Sequence, residues 1–409
     1  MPLVRPFRAI RPAPDKVHLV VSRSYISYDH EALTHKLSSN LYSFIHVINP
    51  DHGMEDAARP GSKKYFKKVR EKYLEFYGQG YFIQDERPAF YIYRQHYENQ
   101  GRAFTGLICA TSSQDYVDGK IKKHELTLSK REKMFTKYLN ITGINAEPVL
   151  LTYRDRKDVE VIMDEVKKDP PLYDFTTTDM VRHSLWRVDD EQNVIALRNA
   201  FEEMQSFYIA DGHHRCASSA RLTEQVNGGT YGTEAPHDFF MSYLVPASQM
   251  HIEAFHRVLR LDAELDREEV LEGLRDSFHV QPLDEVEIPN KHGELYIYIS
   301  GCHYRLTAKE IDVELLDVEL CSRAILEPLF DITDLRNDKR IHFLSGNEGL
   351  DGVQRTLRDE TVDVLIALYP TQVKEIFDVA DRGETMPPKS TWVEPKLRSA
   401  LTIYSLKKH

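Results

Sequence analysis

The sequence predicts an α+β fold, with a mixed sheet and a second α/β lobe, on three observations. Two strand-like runs, 89–97 and 103–111, are separated only by Glu98-Asn99-Gln100-Gly101-Arg102, which reads as an antiparallel hairpin. Helical and strand patterns elsewhere alternate irregularly, which argues against a uniformly parallel doubly wound sheet. Beyond about residue 247 the pattern starts again, so the chain is divided into an N-terminal lobe, 1–247, and a C-terminal lobe, 248–409.

Each element has its own signal. Tyr65, Val69, Tyr73 and Phe76 recur at three-to-four spacing and predict a helix over 61–77. After the hairpin, Ser129 reads as the N-cap of a helix ending near Leu139. A strand over 148–153, a charged helix over 157–168 and a strand over 183–188 follow. Phe207-Tyr208-Ile209-Ala210 reads as a buried strand, 216–226 as a helix and 239–246 as another apolar strand. The second lobe predicts helices near 266–277, 313–326 and 371–380 and strands at 294–299, 303–307, 341–345 and 362–369.

Composition bounds the function. Of 409 residues, 53 are basic and 64 acidic, a net charge of −11 that argues against a nucleic-acid-binding face. The densest basic stretches, Lys63-Lys64 with Lys67-Lys68 and Lys120 to Lys123, are short and read as solvated surface. Hydrophobic residues make up 41%, enough for real cores, and 19 Gly with 19 Pro are too few for a disordered or fibrous chain. Cys109, Cys216, Cys302 and Cys321 form no CxxC pair, so neither a zinc ribbon nor a disulfide framework is expected. The first residues lack an apolar signal core and no run approaches the roughly 18 apolar residues of a membrane span. A soluble, cytoplasmic protein without a membrane partner is expected.

The most informative segment is Asp211-Gly212-His213-His214-Arg215, closing an apolar strand and opening a helix. A helix N-terminus offers unpaired N–H groups and partial positive charge. Gly212 allows close backbone approach, Arg215 offers a planar fork for phosphate oxygens, and His213 and His214 donate hydrogen bonds or carry protons. Asp211 is suited to a metal ion or a hydroxyl proton. The bland alternative is a capped helix whose histidines satisfy backbone groups. A zinc site is disfavoured because adjacent side chains diverge and the i, i+4 histidine pair is missing. No GxxxxGK[ST] or GxGxxG loop occurs.

Three weaker constellations stand beside it. Lys122-Lys123-His124-Glu125-Leu126-Thr127 places a candidate base, Glu125, beside a polar partner, His124, in a positive field. It reads equally well as a charged approach to a helix. Met386-Pro387-Pro388-Lys389-Ser390-Thr391 is a rigid turn ending in a cation and two hydroxyls, suited to anions or simply to locking the C-terminus. Arg182 to Arg187, with Trp186, alternates as a half-buried strand does. A serine hydrolase lacks its GxSxG elbow, and Ala217 and Ala220 beside Cys216 suggest packing rather than a reactive thiolate.

Taken together with Pro6 to Pro12, Ser43 to Ile48 and Leu185-Trp186-Arg187-Val188, these motifs resemble, in order and nearly end to end, a bacterial family catalogued as domain of unknown function 1015. Its characterised relatives include pyrophosphate-dependent free-serine kinases. The DGHHR loop also resembles the GxHR phosphate-binding turn of the ParB/sulfiredoxin fold, implying a core of that type in the first lobe. The resemblance implies a transferase: a kinase moving a phosphoryl group from pyrophosphate, or ADP or ATP, to the hydroxyl of free L-serine, giving O-phosphoserine. It implies Mg2+ with the donor, no tightly bound organic cofactor, and small-molecule partners (L-serine with pyrophosphate or a nucleotide), with oligomerisation open.

Carried onto this chain, Glu125 is the expected base, with Asp211 and His213 also catalytic and Asp211 the metal ligand. Gly212, His214, Arg215, Lys389, Ser390 and Thr391 are the expected phosphate ligands, the last three in a segment closing over the site. His124, Thr127 and Trp186 are the expected substrate contacts. Three positions depart from the family pattern: Arg23-Ser24-Tyr25-Ile26 replaces Pro-Pro-Tyr-Asp, Leu41 replaces Pro after Asn40, and Leu126 replaces Arg after the His-Glu pair. The rival readings are a non-catalytic, ParB-like sensor of a nucleotide or phosphometabolite, a DNA-associated ParB-like protein, and a phosphatase using the same anion turn.

Overall fold

The computed structural model describes residues 1–24, 28–229, 232, 234–310 and 314–407. Tyr25 and Ile26 of the departing N-terminal motif, and residue 313 at the expected start of a helix, lie outside the described residues. The chain divides into two compact units, Met1–Met250 with Pro395–His409, and His251–Glu394. The first break falls three residues past the expected 247. The last fifteen residues, read from sequence as part of the second lobe, belong to the first unit.

The first unit holds a nine-stranded sheet. Its strands are β1 (Val4–Arg5), β2 (Phe90–Tyr97), β3 (Arg102–Ser112), β4 (Ile121–Lys122), β5 (Val149–Tyr153), β6 (Tyr173–Thr176), β7 (Val181–Val188), β8 (Phe207–Asp211) and β9 (Phe239–Pro246). They lie in the order β6-β7-β2-β3-β9-β5-β8-β4, with β1 paired to the end of β3. The β9–β5 and β8–β4 pairs are parallel and the others antiparallel, so the sheet is mixed and the fold is α+β, as the sequence predicts. The hairpin is β2–β3, turned at Gly101 with φ 63.

Two buried clusters form the core of this unit. Ile92, Leu107, Leu151 and Phe240 form one cluster with Val159 and Met163 of the helix Lys157–Val166 and with Leu197 and Phe201 of Glu191–Glu202. A second cluster joins Ile10, Phe44 and Phe82 to Val69, Tyr73 and Phe76 of α1 (Lys63–Gly78), the helix predicted from their spacing. Ile403 belongs to this cluster as well. The C-terminal segment docks by very short pairings, Arg398 with Arg23 and Tyr404 with Asn145. Two-residue strands leave no periodicity to read, which is why the sequence does not reveal this return.

Two helices frame the site. α2 (Ser129–Thr142) has Leu128, not Ser129, at its N-cap. α3 (His213–Val226) begins three residues before the expected 216, directly after Gly212. Small buried residues on α3 allow α2 to come close: Thr136 Oγ1 donates to Ser218 O at 3.2 Å, and Ser218 Oγ to Glu132 O at 3.2 Å. No helix among the described residues is long and apolar enough to cross a membrane.

The second unit holds a six-stranded antiparallel sheet, which makes it the expected second α/β lobe. β10 (Phe255–Leu259), β11 (Phe278–Leu283), β12 (Glu294–Ile299), β13 (Cys302–Ala308), β14 (Ile341–Ser345) and β15 (Val364–Leu368) lie in the order β11-β13-β12-β15-β10-β14. The expected helix 313–326 is Asp317–Cys321, then a π-helical turn, Ser322–Leu326, then Glu327–Phe330. Lys389 has a left-handed φ of 57. Its carbonyl accepts from the fully buried Arg257 at 3.0 Å, and Ser390 Oγ donates to Pro387 O at 2.7 Å.

Candidate functional site

The site begins where β8 ends. Ile209 pairs with Leu151 but Asp211 with Leu150, so the strand carries a bulge at Ala210 that re-aims Asp211. Gly212 follows with φ 97 and ψ 29, a left-handed conformation that turns the chain straight into α3. A Cβ there would sit 2.7 Å from Arg215 Nε, because the guanidinium folds back over the glycine. Cys216 N donates to Gly212 O at 3.0 Å, making this the first helical bond. The N-cap, Gly212, has no side chain with which to cap the helix, and the first turn of α3 opens at this edge.

Arg215 is held from two sides. Nη2 donates to Asp211 Oδ2 at 2.5 Å and Nη1 to Glu147 Oε1. Glu147 Oε2 in turn accepts from Ser399 Oγ at 3.1 Å. β5 runs antiparallel to β8, so Glu147, just before β5, reaches the same sheet edge as Asp211, just after the bulge.

Parallel pairing brings in the second group. Phe207 pairs with Ile121 and Tyr208 with Lys122, so β4 and β8 point the same way and the residues after each emerge at one carboxyl edge. Glu125 Oε2 thereby lies 3.3 Å from His213 Nδ1, and the His124 ring meets the His213 ring edge-on with centroids 4.6 Å apart. His124 Nδ1 and His213 Nε2 are buried without a hydrogen-bond partner among the described residues. Burial holds His213 well below the usual histidine range, reinforced by His124, His214, Lys123 and Arg215. Burial lowers His124 to about 4, against an opposing pull from Asp211. Both imidazoles are therefore neutral near pH 7. Cys216 is buried and its thiol is pushed far up, so it packs rather than reacts.

Among the described residues no three His, Cys, Asp or Glu side chains gather as a metal cage. A Mg2+ ion suits this edge in a different way. Such ions keep several waters and take one or two carboxylates beside substrate phosphates, and Asp211, about half exposed, offers one carboxylate.

The remaining expected residues are placed otherwise. Thr127 Oγ1 donates to Glu132, in the first turn of α2. Trp186 lies away from this edge. It sits on β7, with four strands between it and β8, roughly 24 Å at about 4.8 Å per strand. Its indole N–H donates to Asp169 O at 2.8 Å within the main core cluster. Lys389, Ser390 and Thr391 belong to the second unit. Sequence reading missed Glu147 and Ser399. Glu147 stands immediately before the expected strand at Pro148, which was a usable signal for a strand-end acid; Ser399 carried none.

Fold and site together define a two-unit α+β protein that presents a glycine turn, a helix N-terminus and a carboxylate–histidine pair at one sheet edge. The chain belongs to the family described as "Protein of unknown function (DUF1015)", whose profile matches residues 4–326. No curated protein matches it. Among solved structures, a C-terminally truncated SbnI from Staphylococcus aureus is similar at 13% identity and TM-score 0.37, over 70% of this chain and 82% of that one. A mutant free serine kinase in complex with AMP gives 16% and 0.35, over 72% and 92%. A conserved hypothetical protein from Pyrococcus furiosus gives 14% and 0.33, over 72% and 95%. Similarities at these scores carry no argument about function.

Proposed function

We propose that the first unit hosts phosphoryl transfer from pyrophosphate, or ADP or ATP, to the hydroxyl of free L-serine. The observation that carries this reading is the Glu125–His213 pair, 3.3 Å apart, on the same sheet edge as the uncapped N-terminus of α3. Phosphoryl transfer asks chiefly for positioning and charge neutralisation. The first N–H groups of α3 and the Arg215 fork suit the donor's oxygens. Arg215 is occupied by Asp211 and Glu147, so an incoming phosphate would exchange with a carboxylate there. Asp211, so released, is the residue to hold a Mg2+ arriving on the donor, and that ion would supply charge neutralisation.

Neutral His213 donates through Nδ1 to Glu125, which keeps the carboxylate oriented and ionised. Glu125 accepts the serine hydroxyl proton as the serine oxygen–phosphorus bond forms and the donor's bridging P–O bond breaks. His124 packs against His213 and keeps water from it. The donor class, the serine acceptor and the assignment of Lys389, Ser390 and Thr391 to phosphate rest on the family resemblance.

The test is phosphorus NMR of the protein with L-serine, Mg2+ and, in separate tubes, pyrophosphate, ADP or ATP. O-phosphoserine is expected in one tube and is lost in Glu125→Gln. Silence in every tube from a folded sample would overturn the reading, and nucleotide binding without turnover would put a sensor in its place.

A further inference from the structure

The two carboxylates on Arg215 are held unlike each other. Asp211 follows a strand bulge, and its side chain is 47% exposed. That of Glu147 is 24% exposed and has both oxygens engaged, Oε1 by Arg215 Nη1 and Oε2 by Ser399 Oγ at 3.1 Å. The guanidinium is divided accordingly. Nη1 donates to Glu147, while Nε and Nη2 lie over Gly212, 2.7 and 2.8 Å from where a Cβ would stand. Nε and Nη2 form one edge of the planar fork, a pair of donors that suits two oxygens of one phosphate. That edge lies at the turn into α3, with Asp211 Oδ2 on Nη2 at 2.5 Å.

The backbone that carries Glu147 is clamped from the far end of the chain. Tyr404 pairs with Asn145 and Ser405 with Ile144. Leu406 N donates to Gly143 O at 2.9 Å, and Ala400 N to Ala146 O at 2.8 Å. The buried Asn145 side chain accepts from Met241 N of β9 at 2.7 Å. Ser399 is fixed in turn, by its pairing with Ser22 and by the turn at Ala400. Ala400 has no exposed surface and a left-handed φ of 63. A β-carbon makes that conformation unfavourable, and it persists only where the surrounding bonds impose it. Here the imposed turn lays the Ser399 hydroxyl against Glu147.

We propose that Glu147, locked by Ser399, positions Arg215 for a phosphate anion: Glu147 keeps Nη1, Asp211 gives up Nη2, and the Nε–Nη2 edge takes two oxygens of pyrophosphate or of a nucleotide's terminal phosphate. The half-exposed carboxylate beside a bulge is the one that leaves. The locked one stays and keeps the guanidinium from swinging off the turn. Residues at the end of the chain thereby act on the site through Glu147 and Arg215. This rests on the proposed reading of Arg215 as a donor ligand and not on the identity of the acceptor.

Isothermal calorimetry of the full chain with pyrophosphate, ADP and ATP, each with and without Mg2+, tests it. Simple electrostatics has the removal of either carboxylate tighten anion binding; positioning gives opposite signs. Without Mg2+, Asp211→Asn is expected to tighten binding by about threefold and Glu147→Gln to weaken it by about tenfold. Ser399→Ala leaves the charge of Glu147 in place and is expected to weaken binding by about fivefold, the scale of one hydrogen bond. It decides the matter should Glu147→Gln fold poorly. In an Arg215→Lys background neither substitution is expected to weaken binding further, because both act through the guanidinium; a merely structural role would leave the losses additive. The positioning is overturned by any of three results: no anion binding to the wild type under either condition, tightening in Glu147→Gln or no change in Ser399→Ala, or additive losses. The expected pattern in a protein that forms no O-phosphoserine from any donor would sink the kinase reading and leave the positioning pair standing.

Discussion

Glu125 Oε2 stands 3.3 Å from His213 Nδ1 because β4 and β8 run parallel and end at the same edge of the sheet. The contact is a product of strand direction. Were the Ile121–Phe207 pair antiparallel, the residues following the two strands would leave from opposite ends. The pair thus joins a motif of uncertain meaning in the sequence to the turn with the strongest chemical signal.

Glu125→Gln keeps the shape and removes the proton acceptor. It is expected to lower kcat by about 10²–10⁴-fold, with little change in the Kd for serine. Single-turnover kinetics beside calorimetry checks this; equal losses in both quantities would make Glu125 a binding residue.

Gly212→Ala strains a backbone at φ 97 and drives a methyl group against Arg215 Nε, 2.7 Å from the added carbon. The expected cost is about 1–3 kcal/mol of stability, with donor binding lost as Arg215 is displaced. Urea denaturation and donor titration of the same sample read the two effects.

Arg215→Lys retains a charge but cannot bridge Asp211 and Glu147 as the guanidinium does. The KM for the phosphoryl donor is expected to rise at least tenfold, and the serine KM to stay within about twofold, by the geometry of a bidentate anion fork. A serine-selective defect would reassign Arg215 to the acceptor.

Acid should weaken the fold through its buried histidines. The folded state lowers His124 to about 4 and His183 to about 3, while the unfolded chain protonates them near about 6.5. The unfolded state therefore binds more protons below that value. This stabilisation is complete above about pH 6.5 and is lost as pH falls, by about 2 kcal/mol for His124 between pH 6.5 and 5. Urea midpoints across that range check it, and His124→Asn should flatten the slope.

Trp186→Phe removes the indole bond to Asp169 O and some core volume. A loss of about 1–2 kcal/mol in stability is expected, with both substrate KM values unchanged. An altered serine KM would return Trp186 to the binding residues.

Much of this was legible in the chain itself. The hairpin, the apolar strand 207–210 and the α1 stripe of Val69, Tyr73 and Phe76 follow from local periodicity, and the Asp211–Arg215 turn follows from residue types at a strand end. Glu147 and Ser399 were not legible, because their roles depend on which strand lies beside which. The place of Trp186 was not legible for the complementary reason: it lies in a motif close in sequence order to the others, yet four strands separate it from β8.

The sequence by itself determined the α+β class, the main helices and strands, and the chemistry available at the glycine turn, since each depends on neighbours a few residues apart. Only the tertiary structure decided that Glu125 meets His213, that Arg215 is shared by Asp211 and Glu147, and that the final residues complete the first unit. Those relations come from strand direction, a one-residue bulge and two-residue pairings between distant segments, and none of these leaves a periodic trace in the chain.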